Sequence, residues 1–325
     1  MKPTFIKKTF SNRIVKTGCI VMAALAGVAC GGSGSTITGI SPEVINAPLE
    51  NDAVTPPVVA TVTGDTAIAA DAPVVTPESV VAPEPISADP SAVAARPLTA
   101  ESQALIADAL ARGSIRVMQA GDSITHGTRD SDSYRKAFAS LMADAGCPIT
   151  EVGSQSGTLH QSGFYAAHEG YSGHTADYFL EGRTTVSGEN LGISHAVNFQ
   201  KPDVVLLHLG SVDIFLGETV ASTLAEVDQV IATIFDTKPD TMVFVANIIP
   251  WYDTSTDASI PQSIEALGTG IEQIVAESNN PLLALVDVRS GYSEGLMQAD
   301  LIHPSASGDQ HIADAFFDRI APACE

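Results

Sequence analysis

Ile115-Arg116-Val117-Met118-Gln119-Ala120-Gly121-Asp122-Ser123-Ile124-Thr125 begins as a short apolar run and ends in a turn. A run of that length, stopped by Gly-Asp-Ser, reads as a buried strand. Four more such runs follow, at Ile149 to Val152, Asp203 to Leu209, Met242 to Ile248 and Leu282 to Val288. Segments with helical periodicity lie between them, from Ser133 to Ala145, Thr219 to Phe235 and Ile260 to Glu277. A leading helix is expected at Ser102 to Ala111 and a closing one at Ser305 to Ile320. Continuous apolar strands alternating with helices predict a parallel sheet covered on both faces. The expected fold class is α/β, a three-layer α/β/α domain on a five-stranded parallel sheet in flavodoxin-like order. Residues 101–325 suffice for one such domain.

Upstream the composition changes. Residues 1–29 contain no acid, and Lys2, Lys7, Lys8, Arg13 and Lys16 precede the apolar stretch Cys19 to Ala29. That pattern predicts an export signal, too short for a spanning helix. Gly27-Val28-Ala29-Cys30 resembles a bacterial lipoprotein box, which implies lipidation of Cys30; plain cleavage before Cys30 suits the same small residues. The expected location is the outer membrane or cell surface, or otherwise the periplasm or medium. Residues 30–100 read as a disordered acidic tether, rich in Pro, Ala, Val and Thr. Residues 31–100 hold ten of the 19 prolines and no Phe, Tyr or Trp, too little to close a core. Without the signal, 11 basic residues face 38 acidic ones, a net charge of −27. Such a charge repels nucleic acid and anionic membrane surfaces, so any membrane contact would run through the lipid anchor.

In open parallel sheets, sites form beyond the C-terminal strand ends. Ser123 follows the first strand there. Asp300-Leu301-Ile302-His303-Pro304 follows the fifth. A serine hydroxyl is a weak nucleophile until an imidazole takes its proton and a carboxylate orients that imidazole. Ser123, His303 and Asp300 are the candidates for those roles.

Two further blocks stand with the Asp300–Pro304 segment: His168-Glu169-Gly170-Tyr171-Ser172-Gly173-His174-Thr175 and Leu207-His208-Leu209-Gly210-Ser211-Val212-Asp213. With Gly121-Asp122-Ser123-Ile124-Thr125 they resemble the GDSL or SGNH hydrolase superfamily, most closely acetyl-xylan esterases of carbohydrate esterase family three, over about residues 115–320. The resemblance implies the SGNH hydrolase fold, a carboxylic ester hydrolase needing no cofactor and no metal, and an acetylated carbohydrate or small ester as substrate. It implies backbone N–H groups of Ser123 and Gly173 for the oxyanion. It also implies an asparagine donor where this chain has Val212; losing one such donor typically costs about 10²–10³ in turnover. A lipid or aryl esterase on the same triad, and a carbohydrate-binding protein without catalysis, are the alternatives.

Other residues draw plainer readings. Asp122 and Asp213 are expected to bond backbone. His126, His168, His174 and His208 lack metal-site spacing. Asp130 and Asp132 are expected to cap the next helix rather than bind calcium. Gly291-Tyr292-Ser293-Glu294-Gly295 matches a nucleophile elbow, but Asp300 and His303 follow too soon for that scaffold. Trp251 and Tyr252 follow the fourth strand, where open rings would stack on a sugar and packed rings would fill a loop.

Cys147 ends the first crossover helix and Cys324 the last. Right-handed crossovers in this strand order put both helices on one face. Their ends should then meet within disulfide range, about 4.4–6.8 Å between α-carbons.

Overall fold

The computed structural model describes residues 96–158, 160, 162–182 and 191–324. The export signal, Cys30 and nearly all of the tether lie outside them. Chain order begins with α1 (Ala100–Ala111), capped by Thr99, whose hydroxyl accepts the Ser102 N–H. β1 (Ile115–Gly121) runs straight into the short helix α2 (Ser123–His126). Then come α3 (Tyr134–Asp144), β2 (Ile149–Val152), β3 (Gln155–Ser156) and β4 (Ala167–Gly170). Helices α4 (Ala176–Glu181) and α5 (Ile193–Gln200) lead to β5 (Val204–His208), followed by α6 (Ser211–Phe215) and α7 (Val220–Thr237). β6 (Met242–Ala246), α8 (Ile260–Glu277), β7 (Leu283–Val286) and α9 (Ala306–Ile320) complete the domain.

β1 is central. β5 pairs parallel along one side, with Val117 opposite Val204 and Gly121 opposite His208. β6 and β7 continue outward, both parallel. On the other side β2 pairs with the first half of β1, and β4 takes over at Ala120 and Gly121. The expected strands are therefore β1, β2, β5, β6 and β7, in the expected flavodoxin-like order. The sheet is larger than that reading by β3 and β4, an antiparallel pair.

Side chains alternate across the sheet. Met118, Ala120, Val205, Leu207, Val243 and Val245 join a core with residues of α4, α5, α7 and α8. Ile115, Val117, Val204, Leu206, Met242 and Phe244 join the other core, with α1, α3 and α9. Burial on both faces explains why the central strands carry no polar alternation.

α3 and α9 thus share one face, and the Cys147–Cys324 disulfide joins their far ends with 5.7 Å between α-carbons. It closes a span of 177 residues. Converting both cysteines to serine is expected to lower unfolding free energy by roughly 2–5 kcal/mol, through the entropy of the unfolded chain. Denaturant unfolding of wild type and the double variant measures it; equal midpoints would contradict it.

Candidate active site

β1 delivers the site. At Gly121 φ is +154°, and a Cβ there would stand 2.0 Å from the His208 carbonyl oxygen, so only glycine lets β1 turn against β5. Asp122 then caps α2: its Oδ1 accepts the Ile124 N–H at 2.9 Å. That is the backbone role expected of Asp122. Its carboxyl is fully buried, and burial pushes its pKa up to about 6, against the pull of the Ile124 N–H and the His303 charge.

The turn aims Ser123 at a segment 180 residues away. Ser123 Oγ lies 2.8 Å from His303 Nε2, and His303 Nδ1 lies 2.6 Å from Asp300 Oδ2. An ionised carboxylate only accepts, so Nδ1 carries the proton and Nε2 accepts from Ser123. Asp300 Oδ1 accepts the N–H groups of Ile302 (3.0 Å) and His303 (2.9 Å). Burial raises the Asp300 pKa, but these bonds outweigh it and hold the carboxyl below its ordinary value. Asp300 is therefore ionised at neutral pH.

The loop carrying His303 is pinned from three sides. Gln298 N–H donates to the His303 carbonyl (2.7 Å), and its side-chain amide donates to the Pro304 carbonyl (2.8 Å) and to Thr128 Oγ1 (3.0 Å). The Leu301 carbonyl accepts the N–H groups of Tyr252 (3.0 Å) and Asp253 (3.2 Å). Those bonds hold Leu301 at φ +59°, a conformation that L-residues other than Asn and Asp seldom adopt.

Beside Ser123 runs the turn Tyr171-Ser172-Gly173-His174, closed by His174 N–H to the Tyr171 carbonyl at 3.2 Å. Gly173 has φ +76° and is exposed. A positive φ at the third residue marks a type II turn, which favours glycine there. Both His126 and His174 bond to Ser172. Val212 lies in α6, 9% exposed, and Ser211 beside it is buried. Asp213 is buried and accepts the Ala176 N–H at 2.9 Å, which again is a backbone role.

One expectation is corrected, and one choice left open is narrowed. Trp251 is 6% exposed and packs 5.7 Å from the Phe215 ring, so it is core rather than an open stacking surface. Tyr252 is half-buried, its hydroxyl 3.4 Å from the Tyr292 carbonyl. At that edge Phe215 and Leu216 are the exposed apolar residues. Ser133, not Asp130 or Asp132, caps α3. Asp132 instead pairs with Lys136 at 2.7 Å and accepts the hydroxyls of Thr158 and Ser162.

His168 and His208 are buried, and burial pushes their pKa values down to about 2 and about 4. His168 Nδ1 accepts the Gly170 N–H, and its Nε2–H donates to the Gly157 carbonyl, both at 3.0 Å. Ser293 is exposed ahead of a single 3₁₀ turn, with no strand leading into it.

The sequence reading missed Arg135. It is fully buried, and its guanidinium donates to four carbonyls: Thr125 (2.7 Å), Gly157 (2.8 Å), His126 (3.3 Å) and Ala166 (3.4 Å). It ties α2 to both ends of the 157–166 segment. Its signal was position: Arg135, Phe138 and Met142 share one helical stripe, and all three are buried. Arg135→Leu should destabilise the fold by about 3 kcal/mol or more, because it strands buried carbonyls. Chemical denaturation tests this; a loss under about 1 kcal/mol would contradict it.

Buried acids give a pH prediction. Burial raises Asp309 from 3.8 to about 7 and Glu151 from 4.5 to about 7. Each therefore binds a proton when folded that it lacks when unfolded, so stability falls as pH rises through that range. Buried histidines act oppositely, but only below their unfolded value of 6.5. The melting temperature should thus decline from pH 6.5 to about 8, and Asp309→Asn should flatten the decline. A wild-type melting temperature that climbs over that window would refute the sign.

A family model described as the GDSL-like Lipase/Acylhydrolase family matches residues 120–311. The chain is 22% identical over 222 residues to a multidomain esterase of Ruminococcus flavefaciens, covering 65% of this chain and 29% of that protein. It thus spans less than a third of that relative's length. Among solved structures it is similar to a carbohydrate esterase family 3 from Talaromyces cellulolyticus, with 26% identity, TM-score 0.53 and coverage of 65% of this chain and 98% of that one. It is likewise similar to a family 3 carbohydrate esterase of Clostridium thermocellum, with 27% identity, TM-score 0.53 and coverage of 65% and 97%.

Proposed function

The chain belongs to the GDSL-like lipase/acylhydrolase family, and from that premise we propose that it removes O-acetyl groups from a polysaccharide such as xylan. The observation that carries the chemistry is the unbroken relay Ser123 Oγ–His303 Nε2 (2.8 Å) and His303 Nδ1–Asp300 Oδ2 (2.6 Å). The similarity to family 3 carbohydrate esterases supports the substrate class.

Ser123 attacks the acetyl carbonyl while His303 Nε2 takes the hydroxyl proton. Asp300 stabilises the imidazolium and fixes its tautomer. The backbone N–H groups of Ser123 and Gly173 receive the oxyanion. His303 returns the proton to the leaving sugar oxygen. A water, deprotonated by the same imidazole, then releases acetate and restores Ser123.

Acetate release from acetylated xylan by the purified protein tests the substrate. A p-nitrophenyl ester series tests the acyl group: activity should peak at acetate and fall with chain length. A preference for long chains would favour a lipid esterase. We also propose export and lipid anchoring at Cys30, on the strength of the basic start and the small residues before it. A mature N-terminus with an unmodified Cys30, seen by mass spectrometry, would rule the anchor out.

A further inference from the structure

The Ser172–Gly173 peptide carries the second of the two proposed backbone donors. It is also the central peptide of its turn. Type I and type II turns differ chiefly by a near half-rotation of that unit. Such a flip would reverse the direction of the Gly173 N–H. A peptide is planar and trans, so its C=O and N–H point in opposite directions. Whatever holds the Ser172 carbonyl therefore aims the Gly173 N–H.

Here the holder is an imidazole. His174 Nδ1 stands 2.9 Å from the Ser172 carbonyl oxygen. A carbonyl only accepts, so that nitrogen carries a proton. The ring of His174 is itself packed, 3.9 Å from the Tyr178 ring and 5.7 Å from Tyr171 between centroids. The other side of Ser172 is held as well. Its N–H and hydroxyl lie 3.3 and 3.1 Å from His126 Nδ1. A backbone N–H only donates, so this nitrogen is bare and accepts. Two histidines of opposite hydrogen-bonding sense thus grip one residue. His126 belongs to α2, so the grip links the helix that starts with Ser123 to the donor turn.

We infer that His126 and His174 are positioning residues that lock the Ser172–Gly173 peptide with its N–H toward the reacting acyl oxygen. The inference rests on Ser123 being the nucleophile. Val212 sharpens the demand, because without a side-chain donor two backbone N–H groups carry the developing charge. The His174 bond also polarises the peptide, which strengthens the N–H at its other end. Neither imidazole transfers a proton in this role.

Asparagine separates aiming from packing. Its Nδ2 stands where Nδ1 of His174 donates, and its Oδ1 stands where Nδ1 of His126 accepts. Four full-length variants, His174→Leu, His174→Asn, His126→Leu and His126→Asn, are compared on p-nitrophenyl acetate, with thermal unfolding of each. The leucine variants should lose about 10-fold or more in kcat, up to the 10²–10³ of a lost oxyanion donor. KM should stay within about twofold, because the donor acts in the transition state. The asparagine variants should recover most of the loss. Inhibition by a boronic acid, whose tetrahedral adduct needs the same donor, should weaken in step with kcat. Leucine variants with full kcat would overturn the inference, as would asparagine variants as poor as leucine ones, while a dead Ser123→Ala still upheld the parent reading. An active Ser123→Ala would bring down both.

Discussion

Replacing Ser123 by alanine is expected to cut turnover of an activated acetyl ester by on the order of 10⁴-fold or more, the scale at which serine hydrolases fail without their nucleophile. The argument is geometric. His303 Nε2 has one hydroxyl in front of it, at 2.8 Å, and alanine removes that hydroxyl alone. The Asp300–His303 pair stays, as do the N–H groups of residue 123 and Gly173. What survives is slow attack by water within a preorganised site. The fold should not suffer, because α2 is capped by Asp122 and not by Ser123. Initial rates on p-nitrophenyl acetate, with circular dichroism of both proteins, decide it. Alanine protein that hydrolyses near the wild-type rate would remove Ser123 from the chemistry and leave the relay without a purpose. Wild-type protein with no hydrolysis to lose would favour a carbohydrate-binding role instead.

Val212→Asn should move turnover the other way. The superfamily this chain resembles carries asparagine at that place, where its amide donates to the oxyanion. Val212 is 9% exposed in α6, directly after the buried Ser211. Asparagine is near valine in size and in helix propensity, so α6 should accept it. A gain in kcat of about 10-fold or more is expected, with 10²–10³ as the ceiling for one donor. KM should hold, because a carbonyl in the ground state gains little from a donor aimed at an oxyanion. Unchanged kcat in a well-folded variant would mean that an amide at 212 does not reach the oxyanion.

The parts of the fold that were legible in the sequence are those whose burial is apolar. β6 and β7 read as unbroken hydrophobic runs, β5 is broken only by its closing His208, and β1 is apolar but for Arg116 and Gln119. β4 is equally buried, but its middle is His168-Glu169, two polar side chains satisfied by Gly157, Gly170, Ser154 and Tyr171. No periodicity could announce it. Arg135 was hidden for the same reason, since its partners are carbonyls supplied by tertiary structure. Helices α2, α4 and α6 are four to six residues long, below the length at which a repeat can show. At the site, Ser123, Asp300 and His303 could be picked out because their spacing is chemical. The grip of His126 and His174 on Ser172 could not, because it depends on where a turn folds back. Trp251 shows the converse limit: adjacency to a strand end places a ring at an edge without telling which way it faces.

β3 has a further consequence. It forms the outer margin of the sheet beyond β4, and it is two residues long. A neighbouring molecule seeking to extend the ladder past β3 finds almost no free amide rail to zip onto. Many copies crowded side by side should therefore stay separate along that border, rather than polymerising strand to strand.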